Sequence, residues 1–166
     1  MKHATRFLTL ALAIVLASCA GSTPDAKFSQ KLSTTLARAD GVSTTVTDSS
    51  SKMHSVERGR LGEKITNKIR STALPGTGAA RNFEVAVNIT RYDKGNAFAR
   101  AMLAGLGQIH LDGVISVYQL PGRSKVGEFT IKKTFAWGGV YGGITNIETI
   151  EDTFAEAVAK TVCGTK

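Results

Sequence analysis

The side chains that most often perform nucleophilic or metal chemistry are few in this sequence. It contains two cysteines and three histidines. His110 could be oriented by Asp112, which is expected on the same face of a strand, but the sequence marks no nucleophile or acid beside the pair. A solvated surface histidine is the more ordinary interpretation. Because no histidines and cysteines stand at metal-ligand spacing, we expect no metal, no cofactor and no enzymatic activity.

The strongest chemical signal is Cys19, at the end of an N-terminal apolar segment. Met1–Arg6 is basic and has no acid, and Phe7–Ala17 is uncharged and too short to span a bilayer. The tetrad LASC at 16–19 resembles the bacterial lipobox, in which a peptidase cuts before the cysteine and the sulfur then carries a diacylglycerol. The alternative is an ordinary secretory peptide with a chance cysteine. The position of Cys19 directly after the apolar segment favours lipidation.

Lipidation at Cys19 would anchor the chain to the membrane of a bacterial cell envelope, with acyl chains such as palmitate. Ala20 follows the cysteine. By analogy with enteric bacteria, in which an aspartate there retains lipoproteins in the inner membrane, this favours the outer membrane and a domain that faces the periplasm. Cys163 is then the only free thiol. We expect it to be buried, with an exposed, reactive thiol as the alternative.

A basic row is predicted on the first long helix. Arg60, Lys64 and Lys68 recur every four residues, so they share one helix face. They form a candidate face for an anionic ligand, such as lipid phosphate, lipopolysaccharide or another polyanion of the envelope. The alternative is a solvated face with Arg60 paired to Glu63. We expect no nucleic-acid partner, because the chain is predicted to be exported.

A glycine-rich loop is predicted at 138–143, before the last helix. Trp137 and Tyr141 could contact a ligand over which this loop closes. The alternative is a run of glycines that only permits backbone angles other residues avoid.

An apolar segment joins two of the predicted strands. Asn96 is a suitable N-cap, and the ten residues of Ala97–Leu106 include eight apolar ones, which predicts a short helix. Phe98, Met102 and Leu106 form a candidate interaction segment. Burial against the domain's own sheet is the first expectation. Docking on a partner or on the membrane surface is the alternative.

Hydrophobic periodicity predicts the elements that would position these residues. The 166 residues are 42% apolar and 20% charged, a composition typical of one globular domain. We divide the chain into a lipoprotein signal peptide at 1–18, a lipidated N-terminus and polar tether at 19–34, and a single α+β domain at 35–166. Its predicted order is β-α-β-β-β-α, with a mainly antiparallel sheet packed by two helices. The predicted strands are Val42–Val46, Phe83–Tyr92, Ile109–Leu120 and Val126–Phe135, and the helices are Met53–Ser71 and a final one capped by Thr149 and ended by Gly164.

The run NITRYDKGNAFARAMLAGLGQIHLDG at 88–113 carries a family resemblance. A strand ends near an acid and a glycine, and an arginine and two spaced glycines precede the next strand. These are Asp93, Gly95, Arg100, Gly105 and Gly107. The pattern resembles a family of uncharacterised bacterial envelope lipoproteins, the domain of unknown function 4410. The resemblance implies an envelope lipoprotein of α+β type, and it implies no activity.

These observations predict a lipid-anchored, non-enzymatic envelope protein that binds a partner or helps assembly. The alternative is an envelope ligand-binding module that uses the basic row and the loop with Trp137 and Tyr141. The sequence leaves the oligomeric state open.

Overall fold

The computed structural model describes residues 26–103, 106–136 and 139–165, and it has the expected α+β fold. Its strands are β1 Lys27–Gln30, β2 Gly41–Asp48, β3 Asn82–Asp93, β4 Ile109–Leu120 and β5 Ser124–Phe135. They form one sheet in the order β1-β5-β4-β3-β2. The pair β2–β3 is parallel and the other pairs are antiparallel, which confirms a mainly antiparallel sheet.

Two long and two short helices accompany the sheet. They are α1 Ser55–Thr72, α2 Ala97–Met102, α3 Gly139–Ile144 and α4 Ile147–Cys163. The long helices α1 and α4 pack against each other and cover the face of the sheet that the apolar strand positions form, as expected. The helix α3 was not expected, because a glycine-rich loop was predicted there. This helix contacts α2, and such a tertiary contact can stabilise a helix that the local glycine-rich sequence disfavours.

The strand β1 lies inside the segment 19–34 that the sequence assigned to the tether. It pairs with β5 so that Lys27 stands opposite Thr130. The ring of Phe28 also packs against that of Phe129, with centroids 5.6 Å apart. Four exposed residues give no alternating pattern, which is why this strand was missed. The tether as predicted is therefore too long, since its last part belongs to the sheet.

The caps of the long helices are satisfied by nearby polar groups. Glu57 accepts a hydrogen bond from the N–H of His54 at the start of α1, at 2.8 Å. At the start of α4 the capping side chain is Asn146, whose Oδ1 accepts from the N–H of Thr149 at 3.0 Å. The prediction of Thr149 as the cap was thus wrong by one turn. Gly164 ends the helix with a φ of +67°, as its predicted role requires.

The core lies between the helix pair and the inner face of the sheet. Leu61, Ile65 and Ile69 of α1 are fully buried there. Gly62 faces the sheet edge, where an added Cβ would stand 3.5 Å from the carbonyl oxygen of Thr44, an ordinary van der Waals distance, so the packing at this position does not require glycine. Val56, in the first turn of the same helix, is exposed. It precedes Leu61 by five residues and so lies about 140° around the helix.

Candidate functional site: an apolar end of the domain

The short helices α2 and α3 lie together at one end of the sheet. The strands β3 and β5 are both antiparallel to β4, so their last residues, Asp93 and Phe135, lie at the same end. Each strand is followed by one of the short helices, and the two helices contact each other. Asn96 caps α2 as predicted, since its Oδ1 accepts from the N–H of Ala99 at 2.9 Å.

Six large apolar side chains are exposed at this end. We call them the apolar end patch: Phe98, Met102, Leu103, Leu106, Val140 and Ile144. Their exposed fractions lie between 56% and 84%. The expected burial of Phe98 against the sheet is therefore wrong, because 75% of this residue is exposed. Several large apolar side chains exposed at one end of a folded protein make that end a candidate interaction site.

The buried side of α2 is occupied by Arg100, which is only 2% exposed. Its Nη1 donates to the carbonyl oxygen of Gly107 at 2.7 Å, and its Nη2 donates to that of Thr145 at 2.8 Å. A buried guanidinium needs such partners, because it has lost its contact with water. Arg100 thus ties α2 to the segment before β4 and to the segment between α3 and α4. It fixes the two short helices that carry Phe98, Met102, Val140 and Ile144 of the apolar end patch.

The residues of the family pattern build this same end. The carboxylate of Asp93 accepts from the N–H of Gly95 at 2.9 Å, and the N–H of Asn96 donates to Gly107 at 3.1 Å. Gly95 and Gly107 have φ values of +64° and +67°, which favour glycine. The pattern that suggested the family therefore encodes the support of the patch. Gly105 lies outside the described residues.

The predicted basic row is largely engaged with α4. Arg60 donates two hydrogen bonds to Glu151, at 2.9 and 2.8 Å, and forms a further ion pair with Glu148. Lys64 lies 3.4 Å from Glu151 and 3.0 Å from Asp152.

The expected alternative pairing of Arg60 with Glu63 is replaced by these contacts between helices. Lys68, one turn further on, is exposed. Anion binding by the row stays a prediction, and its first two members already have carboxylate partners.

A second group of polar contacts joins α1 to β3. The hydroxyl of Tyr92 donates to Glu151 at 3.0 Å and lies 3.3 Å from Glu57, which also pairs with Lys94 at 2.7 Å. Burial alone would raise the pKa of Glu57, but the hydrogen bonds from Lys94 and from the N–H of His54 outweigh it and lower this pKa. Burial and the nearby Glu151 raise the pKa of Tyr92. Every group in this cluster has a partner, which is typical of a structural network.

Three of the predicted site residues lie beyond what the structure describes. Cys19 and Trp137 are outside the described residues, and so is the side chain of Tyr141, although its backbone belongs to α3. Lipidation of Cys19 and ligand binding by the predicted loop therefore stay predictions.

His110 is the histidine that the sequence considered for catalysis. The Nδ1 of His110 lies 3.0 Å from the hydroxyl of Thr134, and burial together with Arg91 lowers the pKa of the imidazole. Over residues 26–103, 106–136 and 139–165 there is no group of three or more histidine, cysteine or acidic side chains that could hold a metal ion. Among the helices of the same residues, none has the length and apolar character needed to cross a membrane.

Sequence comparison identifies the family. The family model described as "Domain of unknown function (DUF4410)" matches residues 48–139, from the end of β2 to the start of α3. The chain belongs to this family. The match includes the apolar segment and its supporting residues. A search of curated proteins gave no match.

Comparison with solved structures identifies proteins of similar fold. Two structures of the PelC dodecamer from Paraburkholderia phytofirmans have a TM-score of 0.57, at 12% and 11% identity. Each alignment covers 85% of this chain and 99% of PelC, and at such low identity the likeness shows the fold alone. A candidate lipoprotein from Caulobacter crescentus CB15 has a TM-score of 0.43 at 12% identity. The alignment covers 76% of this chain and 87% of that protein.

Proposed function

We propose that this chain is a lipid-anchored, non-enzymatic protein of the bacterial envelope that acts by contact through its apolar end patch. The observation that carries the proposal is the exposure of six large apolar side chains on and directly after two short helices that Arg100 holds in place. Burying one such side chain completely is worth about 1.5–3 kcal/mol. Contact with another apolar surface is therefore strongly favoured over exposure to water.

The envelope location rests on the lipobox-like tetrad that ends at Cys19. The non-enzymatic character rests on the polar clusters of the described residues, in which the acids and bases are paired with each other. The PelC structures of similar fold are dodecamers. Assembly of several copies is therefore one form that a contact through the patch can take.

The lipid anchor is tested by metabolic labelling with a palmitate analogue. The wild type should incorporate the label, and Cys19→Ala should remain an uncleaved, unlabelled precursor. Label in the Cys19→Ala protein would show that the lipobox interpretation is wrong.

The contact surface is tested by photo-crosslinking in intact cells. A benzophenone amino acid replaces Met102 in the patch, and a matched control replaces Thr77, an exposed residue beyond the far end of α1. We expect defined adducts, of protein or lipid, from position 102 and none from position 77. The same absence of adducts at both positions would contradict the proposed function.

A further inference from the structure

We infer that the apolar end patch lies against the lipid surface of the same membrane that holds the anchor. The inference rests on the proposed function and names what occupies its contact surface. The observation that carries it is the direction in which the chain leaves the sheet towards Cys19.

The first strand points its N-terminal end towards the patch. Lys27 stands opposite Thr130 and Gln30 opposite Glu128, so β1 runs antiparallel to β5. The strand β5 ends at Phe135, at the end of the sheet where α2 and α3 lie. The N-terminal end of β1, at Lys27, therefore points towards the apolar end of the domain.

The length of chain before Ala26 limits how far the membrane can be. Cys19 precedes Ala26 by seven residues, which span at most about 25 Å when fully extended. The five residues from Thr130 to Phe135 rise about 17 Å along the strand. An anchored Cys19 can thus reach the level of the patch and only slightly beyond it. A lipid surface at the apolar end satisfies both this length and the direction of β1.

The two ends of the domain differ in the surface they would offer to lipid. The patch supplies six exposed apolar side chains at one end, whereas Leu74 is the exposed large apolar residue found near the other end among the described residues. Lys27 and Lys132, both exposed, lie on the two strands nearest the predicted anchor. Exposed apolar side chains at one end match an interface with acyl chains, and Lys132, three residues before the end of β5, is the nearer of the two lysines to the anionic headgroups.

The anchor also favours lipid over a protein partner as the occupant of the apolar end patch. Two surfaces joined by only a few residues are held at an effective concentration of about the millimolar range. Lipid would therefore be presented to the patch continuously, and even weak apolar contact would orient the domain. A second copy or another protein would have to displace this contact.

The test uses the full lipidated protein in vesicles of phosphatidylethanolamine and phosphatidylglycerol. Met102→Cys receives an environment-sensitive fluorophore, and Thr77→Cys is the matched control at the opposite end. The native Cys163 is buried and Cys19 carries the lipid, so labelling is directed to the introduced thiol. Quenchers are supplied either in the lipid, as doxyl chains, or in the water, as iodide.

We expect doxyl lipids to quench the fluorophore at position 102 at least twofold more than that at position 77, and iodide to show the reverse order. Protection of position 102 from iodide without doxyl quenching would overturn the inference in favour of a protein contact. Equal quenching by iodide at both positions would also overturn it. Val140→Cys on α3 repeats the measurement should the first labelled protein fail to fold.

The two proposals fail in different experiments. Protein adducts from position 102 in cells, together with no doxyl quenching in vesicles, would leave the proposed function standing and remove the membrane as occupant. Absence of any adduct from position 102 would contradict the proposed function itself.

Discussion

Arg60 of α1 donates two hydrogen bonds to Glu151 of α4, a residue with no exposed surface. The bond to Glu151 is the main cause of a raised pKa at Arg60, with burial acting in the opposite direction. Because a buried carboxylate without partners is unfavourable, this pair holds the two long helices in register. Arg60, which the sequence predicted to bind an anionic ligand, thus binds a buried carboxylate of its own chain.

The first prediction concerns the loss of this pair. Arg60→Ala should reduce the free energy of unfolding by about 3 kcal/mol, because it leaves Glu151 buried with fewer partners. Lys64 and Tyr92 remain near Glu151. The loss of stability should therefore stay near the lower end of the range usual for breaking a buried ion pair. Urea unfolding measures the difference. The matched control is Lys68→Ala on the same helix, which is exposed and should change stability by less than about 0.5 kcal/mol. Equal stability of the two variants would contradict the role of Arg60.

The second prediction concerns pH and Glu128. Its carboxylate pairs with Lys125 and accepts from the hydroxyls of Ser116 at 2.7 Å and Ser29 at 2.9 Å. These contacts, with Lys125 first, lower its pKa from 4.5 to about 2. The unfolded chain therefore takes up this proton before the folded one does. The stability that Glu128 contributes is complete above about pH 4.5 and is lost as the pH falls towards 2.

Glu128→Gln should thus be less stable than the wild type at pH 7, by at most about 1 kcal/mol because the ion pair is partly exposed. The difference should shrink as unfolding is measured at pH 4 and then pH 3. Glu63→Gln, on the exposed face of α1, is the control and should follow the wild type throughout. A difference that stays constant from pH 7 to pH 3 would rule out the carboxylate as its source.

The sequence predicted the parts of the fold that depend on local pattern. Val85 and Val87 alternate with Glu84, Ala86 and Asn88 and so indicated a half-buried strand. Asn96 indicated the start of α2. Pairings between distant segments were not predictable. Arg60 was expected beside Glu63, three residues away, and its actual partner is 91 residues away. No local pattern contains that information, because it arises only when α1 and α4 pack.

At the candidate site, too, the contacts of the apolar segment Ala97–Leu106 could not be predicted from local sequence pattern. Its eight apolar residues suggested burial, yet the inward position belongs to Arg100 and Phe98 faces outwards. The carbonyl partners of Arg100 come from segments on either side of β4 and β5, so the residue could be recognised only through the family pattern. The family resemblance therefore identified Arg100, and the structure shows that this residue ties α2 to the neighbouring segments.

The third prediction concerns Cys163, which is 8% exposed. Its sulfur lies 3.8 Å from the carbonyl oxygen of Ile69, and burial raises the pKa of the thiol to about 11. Since the thiolate is the reactive form, a maleimide at pH 7.5 should label native Cys163 at least about 100-fold more slowly than an exposed thiol. Thr77→Cys supplies that exposed thiol in the same chain, and urea should restore fast labelling of Cys163. Comparable rates for Cys163 and for the thiol introduced at position 77, both measured in the folded protein, would show that α4 opens readily at its end.

The fourth prediction concerns Arg100 and the rigidity of the apolar end. Arg100→Lys keeps the positive charge, but a single ammonium cannot reproduce the planar fork that reaches both Gly107 and Thr145. One of these two hydrogen bonds should be lost, at a cost of about 1–3 kcal/mol. The loss should be local, because the sheet and the long helices do not depend on this side chain.

Hydrogen exchange measured by NMR checks that expectation. The amides of Asn96 and Leu103, which bond to Gly107 and Ala99 within the apolar end, should exchange at least tenfold faster in the Arg100→Lys protein. The amides of β4 should keep their protection. Arg91→Lys, an exposed arginine at the end of β3, is the matched control and should leave both groups unchanged. Wild-type exchange at Asn96 and Leu103 in the Arg100→Lys protein would mean that α2 is held by its other contacts, and that Arg100 does not support the patch.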